Sequence, residues 1–146
     1  MRIYLDNCCF NRPYDDQSQF KIRIESEAKL VIQEKIKNGK LKLIWSFMLD
    51  YENSQNTDVN KKNEIFSFQK YSEEYFVGTK ETAKIAQEIE KSGIKKKDSV
   101  HLACAIETGV EFFITTDKGI INKKNHIPDI KILNPVEFII EIGEKL

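Results

Sequence analysis

Long apolar runs are missing from this sequence. Nothing approaches the roughly 20 consecutive apolar residues that a bilayer-spanning helix needs. The most apolar strand-like stretch is Phe112, Phe113 and Ile114 with the two threonines that follow. A secretory leader is not expected either, because Met1-Arg2-Ile3-Tyr4-Leu5-Asp6 meets a carboxylate before an apolar region can form. Both absences predict a cytoplasmic protein with no membrane partner. Cysteine and histidine are scarce, with three cysteines, two histidines (His101 and His126) and no CxxC pair, so a structural zinc site is not expected. Cys8 and Cys9 are adjacent, which rules out an ordinary bridge between them. Cys104 sits in an apolar helical run, so all three read as reduced thiols. Excess charge is missing too: 23 basic residues balance 23 acidic ones. Nucleic-acid binders usually carry positive excess. If this chain acts on RNA, it does so through local patches or through metal ions that offset its acids.

What is present suits one compact domain spanning residues 1–146, with 40% hydrophobic and 32% charged residues. Strand-like segments are Arg2–Leu5, Leu41–Trp45, Tyr75–Val77, Glu111–Thr115 and Lys131–Leu133, the last of them weak. Helical periodicity runs from Gln17 to Asn38, where Ile24, Ala28, Val31, Ile32 and Ile36 share a stripe and Gly39 is a natural stop. Ser46 reads as the N-cap of a short helix through Glu52. Ile65, Phe66, Phe68 and Tyr71 suggest another helix after a polar stretch from Asn53 to Asn63. Thr79 and Asp98 each open a further one, ending at Ser92-Gly93 and before Gly109. Pro135 takes the favoured first position of a terminal helix. Asn11, Arg12, Pro13, Asp15 and Asp16 read as loop. Strands separated by helices predict an α/β fold with a mostly parallel central sheet.

In such sheets ligands bind beyond the carboxyl ends of the strands. Asp6 ends the first predicted strand, Asp117 follows the fourth in Phe113-Ile114-Thr115-Thr116-Asp117, and Glu52 lies about a helical turn beyond the second. Asp98 sits in the first turn of the helix leading to the fourth strand. Acids converging without bases repel one another, and hard divalent cations resolve that arrangement. Each acid also has a plain explanation, as strand end, turn former or helix cap. Asp50 competes with Glu52, since two residues apart on a helix point about 200° apart. His101, one turn after Asp98, reads as structural, and Glu27 could reach the acids. Trp45, Phe66, Phe68, Tyr71, Tyr75 and Phe76 read as core or oligomer surface rather than a base-stacking platform.

Tyr4-Leu5-Asp6-Asn7, the helical Glu52, Asp98-x-x-His101-Leu102-Ala103-x-Ala105 and Ile114-Thr115-Thr116-Asp117 together resemble, in order and spacing, the PIN-domain superfamily. The match runs from about Arg2 to about Leu133, and Leu5 to Pro13 resembles a VapC-like prokaryotic branch. The resemblance implies a three-layer fold with a five-stranded, mostly parallel sheet flanked by helices. It also implies Mg²⁺- or Mn²⁺-dependent cleavage of RNA, with pairing to an antitoxin as in toxin–antitoxin systems. Carried over by position, Asp6, Glu52, Asp98 and Asp117 are the catalytic, metal-site acids, supported by Asn7, Thr115 and Thr116. Arg12, Arg23, Lys95, Lys96 and Lys97 are candidate RNA contacts. A homo-oligomer is left open. Two alternatives stand beside the nuclease: a non-catalytic PIN-fold module that binds RNA or protein, and a phosphohydrolase or receiver-type domain with Asp6 as nucleophile. The sequence lacks the Asp-x-Asp that would favour the latter.

Overall fold

The computed structural model describes every residue from Met1 to Leu146. Its centre is a sheet of five strands, β1 (Arg2–Leu5), β2 (Lys42–Ser46), β3 (Ser72–Phe76), β4 (Phe112–Ile114) and β5 (Lys131–Leu133). Their spatial order is β3-β2-β1-β4-β5, and every neighbouring pair is parallel. Parallel neighbours require crossovers rather than hairpins. Helices fill these connections: α1 (Asn7–Asn11), α2 (Phe20–Lys37), α3 (Phe47–Ser54), α4 (Val59–Ser67), α5 (Lys80–Glu90), α6 (Lys96–Glu107) and α7 (Lys118–Ile121), and α8 (Pro135–Ile142) follows the last strand.

Both faces of the sheet are covered, which is why β1 and β4 read as unbroken apolar runs instead of alternating ones. Phe113 stacks on Tyr4, with ring centroids 5.3 Å apart, and Tyr4 in turn meets His101 of α6. Phe112, the preceding residue, packs edge-on against Phe138 of α8. Successive strand residues point to opposite faces, so α6 and α8 lie on opposite sides of the sheet. With α5 packed along α6 and α2 against α8, the molecule is a three-layer α/β fold. No helix is long and apolar enough to cross a membrane.

Local chemistry sets most boundaries. The Ser46 hydroxyl accepts from Leu49 N at 3.3 Å to start α3. Thr79 with Thr82, and Asn134 with Glu137, form reciprocal caps at α5 and α8. Gly39 adopts φ +77° just past α2, the left-handed conformation that ends a helix.

Three local expectations need correction. Asn11, Arg12 and Pro13 are not loop: Asn11 ends α1 and Arg12–Tyr14 form a 3₁₀ turn, because Asp6 caps α1 and Pro13 suits the start of a turn, while Asp15 and Asp16 do lie outside regular structure. Val77 lies outside β3 and is exposed, since the strand begins earlier, at Ser72. In α2 the buried stripe is Glu25, Ala28, Lys29, Ile32 and Ile36, whereas Val31 is 43% exposed. Glu25 is buried because Arg12 Nε lies 3.3 Å from its carboxylate, and Lys29 because its ammonium sits over Phe10 and Phe68.

Candidate metal centre

The strand order reverses beside β1, where the chain leaves β1 for β2 on one side and later returns to β4 on the other. A crevice opens beyond the carboxyl ends of strands at such a point. Asp6 stands there. Its backbone N–H bonds Ile114 O at 2.9 Å, locking the end of β1 to the end of β4. Its carboxylate is 4% exposed and well supplied with donors: Asn7 N–H to Oδ1 at 2.8 Å and the Thr115 hydroxyl to Oδ2 at 2.8 Å. The Cys8 thiol lies 3.4 Å from Oδ2. Burial raises the Asp6 pKa, opposed by the His101 charge and the Thr115 hydrogen bond.

Thr115 ties the two strand ends together, since its hydroxyl also accepts from Asp117 N–H at 3.0 Å. Asp117 caps α7 by accepting from Gly119 N–H at 2.7 Å. Thr116 is buried and turns its backbone N–H to Cys8 Sγ at 3.3 Å.

Glu52 comes from α3 and His101 from α6, and they meet at 2.5 Å between Oε1 and Nε2. Asp50, the competing acid, points away: it accepts from Trp45 Nε1 at 2.8 Å and from the Tyr75 hydroxyl. His101 is fully buried and its other nitrogen, Nδ1, lies 2.6 Å from the Tyr4 hydroxyl, itself 2.6 Å from Ser46 Oγ. Burial works against the imidazolium, but Glu52 and the charges of Asp6 and Asp98 outweigh it, so the His101 pKa is raised. Burial likewise pushes Glu52 up, and the His101 hydrogen bond and charge, with Lys97 and Asn7, bring it below its ordinary value.

Asp6, Glu52 and His101 thus offer ligand atoms that all lie within 4.8 Å of one another, with His101 Nε2 3.9 Å from Asp6 Oδ1. Asp98 lies on the same α6 face one turn before His101 and is held up to about 6, first by burial, then by the charges of Asp6 and Asp117. The four expected acids therefore share one electrostatic environment. Asn7 adds an amide whose Nδ2 is 3.5 Å from Glu52 Oε2 and whose Oδ1 is buried with no hydrogen-bond partner. A carboxylate-rich donor set and an orphaned amide oxygen fit a hard divalent cation with its water.

Tyr4, Ser46 and Cys8 also belong to this network, although none was a candidate site residue in the sequence. His101, which the sequence reads as structural, sits at the centre of this network, bonded to Glu52 and Tyr4. Glu27 is exposed, and its neighbour Glu25 is the buried acid of α2. Of the basic residues, Lys97 is near enough for its charge to act on Glu52 and rests over Tyr51. Lys95, Lys96 and Arg23 are exposed. Arg12 is engaged instead by Glu25 and Asp15, at 3.3 and 3.1 Å, and faces α2.

Neither a protein-family model nor a curated protein sequence matches this chain. Among solved structures, a chain of VapBC2 from Rickettsia felis, crystallised bound to a DNA fragment from the promoter, has the same fold. The TM-score is 0.56 and the identity 16%, with 92% of this chain and 98% of that chain covered. The architecture is a VapC-like PIN fold.

Proposed function

We propose that this protein is a metal-dependent endoribonuclease of the PIN type, the toxin of a toxin–antitoxin pair. The observation that carries the reading is the meeting of Asp6, Glu52 and His101 within 4.8 Å at the switch point, inside the field of Asp98 and Asp117. Mg²⁺ or Mn²⁺ would be held by Asp6, Glu52, Asp98 and Asp117, with Asn7 Oδ1 turned to its water. Such an ion, when bound, supplies charge stabilisation at a phosphodiester and lowers the pKa of water.

The chain's own residues do the rest. Thr115 and Asn7 N–H fix both Asp6 oxygens, so the carboxylate needs no reorientation. The Ser46–Tyr4–His101 chain fixes Glu52 in the same way: with a proton on Nε2, His101 donates to the Glu52 carboxylate while Nδ1 accepts from the Tyr4 hydroxyl, which in turn accepts from Ser46. Lys97 supplies a cation beside the acids where a phosphate backbone would run. Pairing with an antitoxin rests on the likeness of fold to VapBC2.

The test is cleavage of single-stranded RNA by purified protein with Mg²⁺ or Mn²⁺. EDTA should stop it, and Asp6→Asn should abolish it. Undiminished cleavage by that variant would sink the mechanism.

A further inference from the structure

A second cavity, of about 260 Å³, lies between α2, α4 and the 3₁₀ turn at Phe68–Tyr71. Phe10, Leu30 and Ile65 form an apolar wall, and three lysines, Lys29, Lys37 and Lys70, line it against a single acid, Glu64. That acid is already engaged by the Tyr14 hydroxyl.

Lys29 is the unusual member. It is 7% exposed, yet no carboxylate lies within ion-pairing distance. Its ammonium sits 5.6 Å from the Phe10 centroid and 5.5 Å from that of Phe68, and its hydrogen-bond partner is Gln33 Oε1 at 2.5 Å. An ammonium has three N–H donors, so donors remain beside the cavity. Burial brings its pKa down to about 8, with Cys9 opposing, the nearby Lys37 charge adding to the fall, and Glu64 opposing it from beyond ion-pairing distance. A buried cation with no counter-charge in contact is expensive. The other two lysines repeat the pattern nearer the surface, with Lys37 and Lys70 at 5.7 and 5.1 Å from the Tyr71 centroid. Lys37 also has Glu34 at 4.0 Å, at the limit of an ion pair.

We propose that this cavity binds a phosphate ester, whose phosphate supplies a contacting counter-charge to Lys29 between Lys37 and Lys70 and whose carbon skeleton lies on the Phe10, Leu30 and Ile65 wall. Three point-charge ammonium groups and no guanidinium fork suit a compact phosphate better than a planar carboxylate. A phosphomonoester carries close to two negative charges near neutral pH, matching three lysines less Glu64, and a phosphodiester of an RNA strand carries one. The apolar wall favours an ester over inorganic phosphate. This cavity shares no lining residue with Asp6, Glu52 or His101, and the inference stands whether or not those residues cleave RNA.

The ester can come from a free nucleotide or from a strand of RNA, and calorimetric titration in EDTA distinguishes them. The probes are adenosine 5′-monophosphate, a single-stranded oligoribonucleotide and inorganic phosphate alone. Binding of the monophosphate and not the oligomer identifies a free nucleotide site, and the reverse identifies an RNA site. In either case Lys29→Met and Lys70→Met should each weaken binding by about tenfold, the effect of losing one charge-assisted hydrogen bond. Lys29→Met keeps the side-chain volume and should melt at or above wild type without ligand. Lys70 is exposed, so its replacement leaves the core intact. No binding of either ester at millimolar concentration, or binding that both variants leave unchanged, overturns the proposal. So does binding of inorganic phosphate as tight as that of the esters.

Discussion

Asp98 sits where two effects of opposite sign can be weighed. As a first-turn acid of α6 it gains from the helix dipole, typically about 0.3–1 kcal/mol. Against that, burial and the charges of Asp6 and Asp117 hold its carboxyl up to about 6 in the folded chain, compared with about 3.9 when unfolded. Between those values the folded state binds more protons, so its stability rises as pH falls from about 6 to about 4, and the penalty is fully present above 6. For a half-buried side chain, solvent screening leaves on the order of 1–2 kcal/mol of it. The penalty is the larger of the two. Asp98→Asn should therefore melt at or above wild type at pH 7.5 in EDTA, and the difference should close near pH 4. Thermal melts at the two pH values decide it: a variant less stable than wild type at both would make Asp98 a plain helix-start acid.

At the scale of the element, two of the expected acids are also caps, and the two roles can be separated. Asp117 accepts from Gly119 N–H at the start of α7, and Asn caps about as well as Asp. Asp117→Asn should keep wild-type stability within about 0.5 kcal/mol, while Asp117→Ala should lose about 1 kcal/mol. Denaturant melts of both, run beside the cleavage assay, show whether lost activity follows lost charge or lost fold. If cleavage survives in the Asn variant, the Asp117 charge is not needed. Elements of this kind were legible in the sequence because turn chemistry and apolar runs agree there: β1 and β5 fall on their expected residues, Ser46 and Thr79 start their helices as read, and Pro135 opens the terminal one. Parallel strands ending at one edge made the neighbourhood of Asp6 and Asp117 legible as well. What stayed hidden depends on distant partners. Glu25 and Lys29 are buried only because Arg12, Phe10 and Phe68 arrive from elsewhere in the chain. Periodicity therefore assigned Val31 a place in the stripe that it does not hold. Tyr4 reads as an ordinary strand residue, and its hydroxyl bond to His101 spans 97 positions. The choice between Asp50 and Glu52 was settled by Trp45 and Tyr75, which hold Asp50 away.

For the molecule as a whole, zero net charge conceals an uneven distribution, with carboxylates gathered at the switch point. Those charges destabilise the native state when nothing offsets them, because the unfolded chain lets them separate. A divalent ion that binds only the folded form stabilises it by RT ln(1 + [L]/Kd), about 2.7 kcal/mol at a hundredfold excess over Kd. For a domain of this size the melting temperature should rise on the order of 5–10 °C in Mn²⁺ or Mg²⁺. Asp6→Asn tests where the ion sits. Asn still caps α1 through its one oxygen, while its amide N–H faces Thr115 and the Thr115 hydroxyl keeps Cys8 Sγ as a partner at 3.3 Å, so the fold should hold, and removing a buried charge should leave the metal-free variant at or above wild type. The same change removes a ligand, so most of the metal-induced rise should disappear. Lys29→Met should retain the full rise, because Lys29 lines a different cavity. Equal rises in wild type and Asp6→Asn would place the ion away from Asp6 and leave the cluster with His101 as an internal hydrogen-bond network alone.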